Sequence, residues 1–142
     1  MSDQPKLEDF PVRSFDKLRY GDTDRQGHVN NAVFATFLET GRCDLLERVW
    51  GAFWSGTGAS FVLVRLELDY RAELFWPGRV EIGTAVKSLG NSSIRMVQAV
   101  FQDGRLAATA ETVGVHLNAQ KRPAPLQEDV RAKLSLLMLP CA

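Results

Sequence analysis

The sequence predicts an α+β fold in which a curved antiparallel sheet of about five strands wraps around one long α-helix. Apolar residues recur at helical spacing from Ala32 to Trp50, and four long segments with alternating apolar and polar residues follow. A helix of this length extends about 28 Å, and a ten-residue strand extends about 33 Å. Because the two lengths are similar, each strand can cover most of the helix.

The N-terminal part of the chain is predicted to be an arm followed by a first strand. Residues 1–12 are polar and contain Pro5 and Pro11, so we expect a loose arm there. The first strand is predicted near Ser14 to Tyr20. With 142 residues, 45% of them hydrophobic, residues 1–142 are expected to form a single domain.

The predicted helix carries a continuous apolar stripe. Its members fall at spacings of three and four, with Gly41 between them: Phe34, Leu38, Leu45 and Val49. Asn30 or Asn31 is a suitable N-cap, and Gly51 is a suitable C-terminal stop. Gly41 lowers helix stability relative to alanine, but it allows a strand to approach closely. We therefore expect the sheet to contact the helix at Gly41.

Four strands and a terminal helical segment are predicted after an irregular, glycine-rich loop at residues 51–60. A period of two marks the strands at residues 64–71, 80–86, 92–102 and 105–119. Asp103-Gly104, between the last two strands, suits a tight type I′ hairpin turn. Residues 127–139 follow a proline-rich turn and carry apolar residues at helical spacing, which predicts a C-terminal helical segment.

Composition argues against several classes of protein. The 17 basic and 17 acidic residues balance, so no overall field attracts nucleic acid or an anionic membrane. No apolar run approaches the roughly eighteen residues of a membrane span, and the N-terminus lacks a signal-peptide core. Cys43 and Cys141 form neither a disulfide framework nor a metal-ligand cluster. We expect a cytoplasmic protein without nucleic-acid or membrane partners.

The segment Gly21 to Asn31, GDTDRQGHVNN, places two carboxylates immediately before the predicted helix. The start of a helix presents unpaired backbone N–H groups and the positive end of the helix dipole, which can polarise a carbonyl group. A nearby carboxylate could attack that carbonyl or activate water. Asp24 is the preferred candidate because it lies three residues before Gly27, where a turn must lead into the helix. The alternative is that Asp22 and Asp24 only cap turns.

The neighbours of Asp24 have several possible roles. Gly27 suits a positive φ angle or close approach of the backbone to a ligand. His28 could be an acid, a base, an orienting group or a group that only bonds the backbone. Asn30 and Asn31 could cap the helix, and a backbone N–H there could also polarise a substrate. Glu39 is the second candidate carboxylate, although an ion pair with Arg42 is the simpler interpretation.

Motifs of other enzyme classes are missing from the sequence. There is no GxSxG nucleophile elbow and no phosphate-binding P-loop or GxGxxG pattern. His28 and His116 lack the paired spacing of metal ligands, so no metal site is predicted. Some basic and hydroxyl residues could contact a phosphate-bearing ligand, although each alone is more typical of a solvated surface: Lys87, Ser92, Ser93, Arg95, Lys121 and Arg122.

Several segments occur together in one order: RYGDTD at 19–24, GHVNN at 27–31, the helix with Glu39 and Arg42, LDYR at 68–71, GNSS at 90–93 and KRP at 121–123. Over residues 14–125 the chain thereby resembles the hot-dog fold acyl-CoA thioesterases of the 4-hydroxybenzoyl-CoA thioesterase superfamily. The Asp-x-x-Gly-His-Val-Asn-Asn core is the most specific part of this resemblance.

The resemblance implies a hot-dog fold that dimerises through its sheet, as a homodimer or homotetramer with active sites at the interface. It implies that the Asp24 carboxylate attacks the thioester or activates water while the Asn31 N–H polarises the carbonyl. It also implies residues near the mouth that hold the coenzyme A phosphates: Arg71, Ser92, Ser93, Lys121 and Arg122. No cofactor is expected, since coenzyme A is part of the substrate.

The predicted reaction is hydrolysis of an acyl-CoA thioester to the free acid and coenzyme A. One alternative is a protein of the same fold that binds acyl-CoA or an acyl carrier without hydrolysis. Another is an acyl dehydratase, for which His28 and Asp24 would be the required pair. The acyl-chain length would depend on residues that line the pocket, with these candidates: Phe53, Trp54, Phe61 and Phe75.

Overall fold

The computed structural model describes residues 4–51 and 60–139, so Phe53 and Trp54 lie outside the described residues. The strands are β1 (Val12–Lys17), β2 (Ser60–Tyr70), β3 (Arg79–Leu89), β4 (Ser93–Gln102) and β5 (Arg105–Leu117). The helices are α1 (Val33–Trp50) and α2 (Glu128–Ser135), and short 3₁₀ turns occur at Leu7–Asp9 and Tyr20–Asp22. None of the helices within these described residues is both long and apolar enough to cross a membrane.

The five strands form one antiparallel sheet in the order β1-β3-β4-β5-β2. The helix α1 packs on one face of this sheet, against β1, β3 and β4. The predicted fold, a five-stranded antiparallel sheet around one long helix, is confirmed. Its β2 edge leaves apolar side chains exposed, among them Val62, Val64 and Tyr70.

Close contact between α1 and the sheet depends on Gly41. A Cβ atom at this position would lie 2.4 Å from Thr84 Oγ1 and 2.8 Å from both Gln98 Nε2 and Ile82 Cγ2. The Gln98 amide donates to the backbone oxygen of Leu38 and to Thr84 Oγ1, at 2.9 and 3.0 Å. The expected approach of a strand at Gly41 is therefore observed, and a buried glutamine fills the contact.

The N-terminal arm differs from the prediction. Residues 7–9 form a 3₁₀ turn, and Phe10 is only 1% exposed because its ring covers Gly83 on the outer face of the sheet. The Arg13 side chain donates to the backbone oxygens of Glu8 and Phe10 and holds the turn in place. The expectation of a loose arm over residues 1–12 is thus wrong for residues 7–12, which pack on the sheet.

Other element boundaries differ by a few residues. β1 begins earlier than predicted, at Val12, and ends at Lys17, because residues 20–22 turn into a 3₁₀ helix. The C-terminal helix ends at Ser135 rather than at residue 139. The turn at Asp103-Gly104 has φ angles of 51° and 79°, the two positive values that a type I′ hairpin requires.

Candidate active site

The turn before α1 fixes the backbone around Asp24. The Gly27 N–H donates to the Asp24 backbone oxygen at 3.0 Å, and the Asp24 N–H donates to the His28 oxygen at 3.1 Å. Gly27 has a φ of 86°, a conformation that residues with a side chain rarely adopt. The glycine therefore closes the turn through its positive φ, one of the two roles predicted for it.

One carboxylate oxygen of Asp24 accepts a hydrogen bond within the turn, and the other lies near Asn30 and His28. Oδ1 accepts a hydrogen bond from the Gln26 N–H at 2.9 Å. Oδ2 accepts a long hydrogen bond from Asn30 Nδ2 at 3.5 Å and lies 4.0 Å from His28 Nδ1. The Asp24 side chain is 28% exposed. The first bond orients the carboxylate, and the side chain as a whole stays partly exposed.

Asp22 is held differently. It is 3% exposed, and its carboxylate accepts hydrogen bonds from the backbone N–H and the guanidinium group of Arg19. Its backbone oxygen accepts the Asn30 N–H at 2.9 Å. All these contacts stabilise the turn, so Asp22 acts as a structural residue.

The start of α1 presents, beside this turn, a backbone N–H with no acceptor in the part of the chain that the structure describes. Asn30 Oδ1 accepts the Ala32 N–H at 2.9 Å, and the Asn30 and Asn31 backbone oxygens accept from Val33 and Phe34. Asn31 is exposed, and within residues 4–51 and 60–139 its own N–H has no acceptor. The N-cap residue of α1 is Ala32, so the prediction of Asn30 or Asn31 at that position is wrong; the Asn30 side chain instead holds the turn that leads into the helix. Asn31 offers the N–H that can polarise a carbonyl.

A pocket of about 190 Å³ opens at this N–H. Its walls include His28, Asn31, Phe34, Tyr70 and Glu73. The Tyr70 hydroxyl donates to the Asn31 backbone oxygen at 2.9 Å, and its ring packs edge to face on Phe34 with centroids 5.1 Å apart. Tyr70 is a site residue to which the sequence analysis gave no role, although it lies in the LDYR segment of the family resemblance. Its position at the end of an alternating segment was the available signal.

His28 contacts several polar groups. Nε2 lies 2.9 Å from Gln26 Oε1 and 3.8 Å from Glu73 Oε1, and Nδ1 lies 3.3 Å from the Val29 backbone oxygen. The side chain is 15% exposed. With both ring nitrogens beside protein oxygens, His28 orients the turn and the pocket wall.

The residues predicted to bind coenzyme A do not gather around Asp24 within one chain. Arg71 lies at the Tyr70 end of β2, where its N–H donates to the Ala107 oxygen and its guanidinium to Thr109 Oγ1. Ser92, Ser93, Lys121 and Arg122 lie at the opposite end of β5, beside Val115 to Asn118. Thr109 and His116 lie seven positions apart on β5, a distance of about 23 Å.

Glu39 also lies away from Asp24. It is exposed and lines a second cavity, of about 160 Å³, together with Arg42, Cys43 and Phe61. Phe75, another candidate for the pocket, is 43% exposed and lines neither cavity. In the part of the chain that the structure describes, no three His, Cys, Asp or Glu side chains are grouped to hold a metal ion.

Comparison with known proteins gives consistent matches over nearly the whole chain. A family model described as the thioesterase-like superfamily matches residues 18–134. The long-chain acyl-CoA thioesterase FadM of Escherichia coli strain K12 is 29% identical over 127 residues, which cover 86% of this chain and 96% of that protein.

Solved structures share the fold. A thioesterase from Thermus thermophilus, complexed with coenzyme A and Zn, has 37% identity and a TM-score of 0.82, with 92% of this chain and 96% of that chain covered. The PA5185 protein from Pseudomonas aeruginosa strain PAO1 has 28% identity and a TM-score of 0.87, with 97% and 99% covered.

Proposed function

The chain belongs to the thioesterase-like superfamily, and from this membership we propose that it is an acyl-CoA thioesterase that hydrolyses its substrate to the free acid and coenzyme A. The observation that supports the proposal most strongly is the Asn31 N–H just before α1, which has no acceptor among the described residues and follows the turn that holds the partly exposed Asp24 carboxylate. The names of two relatives, a long-chain acyl-CoA thioesterase and a thioesterase with bound coenzyme A, support acyl-CoA as the substrate class.

In the proposed reaction the thioester carbonyl oxygen accepts the Asn31 N–H at the positive end of the α1 dipole. Negative charge that develops on this oxygen is stabilised there. The Asp24 carboxylate either attacks the carbonyl carbon or removes a proton from the attacking water. If Asp24 attacks, the C–S bond breaks as an anhydride forms between Asp24 and the acyl group, and water then hydrolyses the anhydride and restores the carboxylate. If water attacks, the C–S bond breaks as the acid forms. In both cases the coenzyme A thiolate takes up a proton, and water supplies the new oxygen of the acid.

The surrounding side chains would position these two groups. The bond from Gln26 N–H fixes the Asp24 carboxylate, and the bond from the Tyr70 hydroxyl to the Asn31 oxygen fixes the peptide that precedes Ala32. His28, between Gln26 and Glu73, would hold the wall of the pocket without taking part in bond formation. No metal or cofactor has a step in this mechanism.

We further propose that two copies of the chain pair through the β2 edges. Exposed apolar side chains on β2, such as Val62 and Val64, suit burial in an interface. In antiparallel β2 pairing, the Tyr70 end of one strand would face the Ser60 end of the other. Ser92, Ser93, Lys121 and Arg122 of the partner subunit would then approach Asp24, where they could bind the coenzyme A phosphates. Sedimentation of the wild type and of Val64→Lys would test this pairing, since a lysine on β2 should favour the monomer.

A panel of acyl-CoA substrates with a free-thiol readout tests the proposed activity. We expect thiol release in proportion to enzyme concentration for at least one chain length. Acyl-CoA binding without thiol release would contradict hydrolysis and would support the non-hydrolytic binding protein instead.

A further inference from the structure

Four aromatic side chains that line neither the pocket at Asn31 nor the second cavity are exposed. The exposed fractions are 63% for Phe15, 74% for Tyr20, 43% for Phe75 and 44% for Trp76. The rings of Tyr20 and Trp76 contact each other edge to face, with centroids 5.4 Å apart. Clusters of exposed apolar side chains mark surfaces that bind a protein or a membrane.

Two cations lie beside these rings. Lys17 on β1 and Arg79 on β3 are direct partners in the antiparallel register, and both are exposed. Phe15 shares the exposed face of β1 with Lys17, and the Arg79 guanidinium lies 5.1 Å from the centroid of the Phe15 ring. From the two paired cations the chain leads to Tyr20 on one side and back to Trp76 on the other, where the two rings meet. These five residues form one surface, the aromatic-cationic surface.

The positive charge of this surface is only partly compensated. Arg79 Nη2 lies 3.8 Å from Glu81 Oε2, and the neighbouring Arg19 is paired with Asp22 at 3.0 Å. No carboxylate among the described residues lies within 4.0 Å of the Lys17 ammonium group. Like charges directly opposite each other on neighbouring strands are destabilising. Because a bound anion would relieve this repulsion, the pair of Lys17 and Arg79 suits an anionic partner.

The residue types on this surface favour a lipid bilayer as the partner. Tryptophan and tyrosine side chains bind in the headgroup region of a bilayer, where the ring is buried and its N–H or O–H stays hydrated. Lysine and arginine side chains are attracted to anionic lipid headgroups. A bilayer requires no recessed pocket, so exposed rings beside exposed cations are sufficient to bind it.

The position of the surface relates it to the candidate active site. It lies at the β1 edge of the sheet, opposite the β2 edge through which pairing is proposed. Two backbone hydrogen bonds connect it to the turn of Asp24: the Thr23 N–H donates to the Tyr20 oxygen at 3.1 Å, and the Val29 N–H donates to the Leu74 oxygen at 2.8 Å. A molecule docked by this surface would hold Asp24 close to the bilayer, where long acyl chains accumulate because burial of their methylene groups is favourable.

We propose that the aromatic-cationic surface docks the protein on an anionic lipid bilayer. The rings of Tyr20 and Trp76 enter the headgroup region, and Lys17 and Arg79 contact the lipid phosphates. The balanced net charge predicts no overall attraction to a membrane, so this binding depends on the local surface alone. The proposal goes beyond the thioesterase function proposed above and does not depend on it.

Sedimentation with lipid vesicles tests the docking without any measurement of hydrolysis. The vesicles contain either phosphatidylcholine alone or equal parts of phosphatidylcholine and phosphatidylglycerol. We expect the wild type to bind the anionic vesicles about tenfold more tightly, because each cation near the surface adds attraction. The difference should shrink as the salt concentration rises. Equal affinity for both kinds of vesicle would overturn the proposal and would leave the surface to an acidic protein partner.

Lys17→Glu is the charge variant that tests the surface, because Lys17 is exposed and has no ion pair among the described residues. It should reduce the affinity for anionic vesicles by about tenfold. Lys133→Glu is the matched control: it makes the same change of charge on α2, which packs on Val86 near the other end of β3. Lys133→Glu should bind as the wild type does. An unchanged affinity in Lys17→Glu, or an equal loss in both variants, would refute the assignment.

Trp76→Phe tests whether the ring enters the bilayer. Brominated lipids quench the fluorescence of a tryptophan that lies within the bilayer. We expect brominated phosphatidylcholine in the anionic vesicles to quench the wild-type fluorescence and to lose this effect in Trp76→Phe, which keeps an aromatic ring against Tyr20. Sedimentation of the variant measures how much protein is bound. Quenching that persists in bound Trp76→Phe would show that another part of the protein faces the bilayer, which would overturn the proposal.

Discussion

Replacement of Gly41 by alanine should destabilise the protein by about 3 kcal/mol, even though alanine is the better helix former. The added Cβ would lie 2.4 Å from Thr84 Oγ1 and 2.8 Å from Gln98 Nε2, closer than packed atoms allow. Overpacking is unfavourable by about 1–3 kcal/mol, and displacement of the buried Gln98 amide from Leu38 O adds about 1–3 kcal/mol. The higher helix propensity of alanine returns about 1 kcal/mol.

Urea unfolding measures this change. With an m-value of about 1.5 kcal/mol/M, the midpoint of Gly41→Ala should fall by about 2 M relative to the wild type. Gly21→Ala is the control, because a Cβ at Gly21 has no atom within 4 Å and its φ angle is ordinary. A midpoint for Gly41→Ala equal to or above that of the wild type would show that α1 can move away from the sheet without loss of stability. That result would refute the claim that the contact between α1 and the sheet requires a glycine at position 41.

Three further predictions concern packing and protonation. Phe10→Ala should reduce the free energy of unfolding by about 3–5 kcal/mol because the ring is buried against Gly83. A reduction below about 1 kcal/mol would show that the N-terminal arm does not pack on the sheet. Burial, together with the negative charge of Glu39, raises the pKa of the Cys43 thiol. At pH 8, iodoacetamide should therefore modify Cys43 in the folded protein on the order of tenfold more slowly than in the urea-unfolded protein. Mass spectrometry of the Cys43 peptide measures both rates, and equal rates would refute the prediction. A hydrogen bond from Lys87 lowers the pKa of Glu111 from its ordinary 4.5. Glu111→Gln should therefore reduce the free energy of unfolding by less than about 1 kcal/mol at pH 7, and the difference from the wild type should vanish as the pH falls through the folded-state pKa. A difference that persists in acid would contradict the pairing.

Local patterns in the sequence predict much of this fold. The spacing of Phe34, Leu38 and Leu45 predicts α1, because a helix buries residues three and four apart on one face. The dipeptide Asp103-Gly104 predicts its turn because few residues adopt positive φ angles. Both features depend on residues that are near in sequence.

Features that depend on distant residues escape such a prediction. Phe10 is buried by Gly83, more than seventy positions away, so the polar composition of the arm is misleading. Tyr70 reaches Asn31 across the sheet edge, and only the folded chain brings them together. The unpartnered state of the Thr112 hydroxyl, among the residues that the structure describes, depends on the shape of the surrounding core, which no local pattern describes.

The candidate site also has one part that neighbouring residues predict and another part that depends on distant residues. The sequence predicts the turn from Asp24 to Gly27 and the asparagines at the helix start, and the structure places them together because they are adjacent in the chain. The proposed coenzyme A contacts near Ser92 and Arg122 lie at the other end of β5, so their relation to Asp24 depends on how two chains associate.

Turnover of an acyl-CoA thioester by Asp24→Asn, compared with Glu39→Gln, tests the central proposal most directly. Asparagine keeps the size of the side chain and its acceptor for the Gln26 N–H, but it can neither attack the thioester efficiently nor take a proton. We expect kcat to fall by about 10²–10⁴ in Asp24→Asn, with substrate binding and the urea midpoint unchanged. Glu39→Gln should retain most of its turnover. Full turnover by Asp24→Asn, or a loss confined to Glu39→Gln, would contradict the proposed role of Asp24.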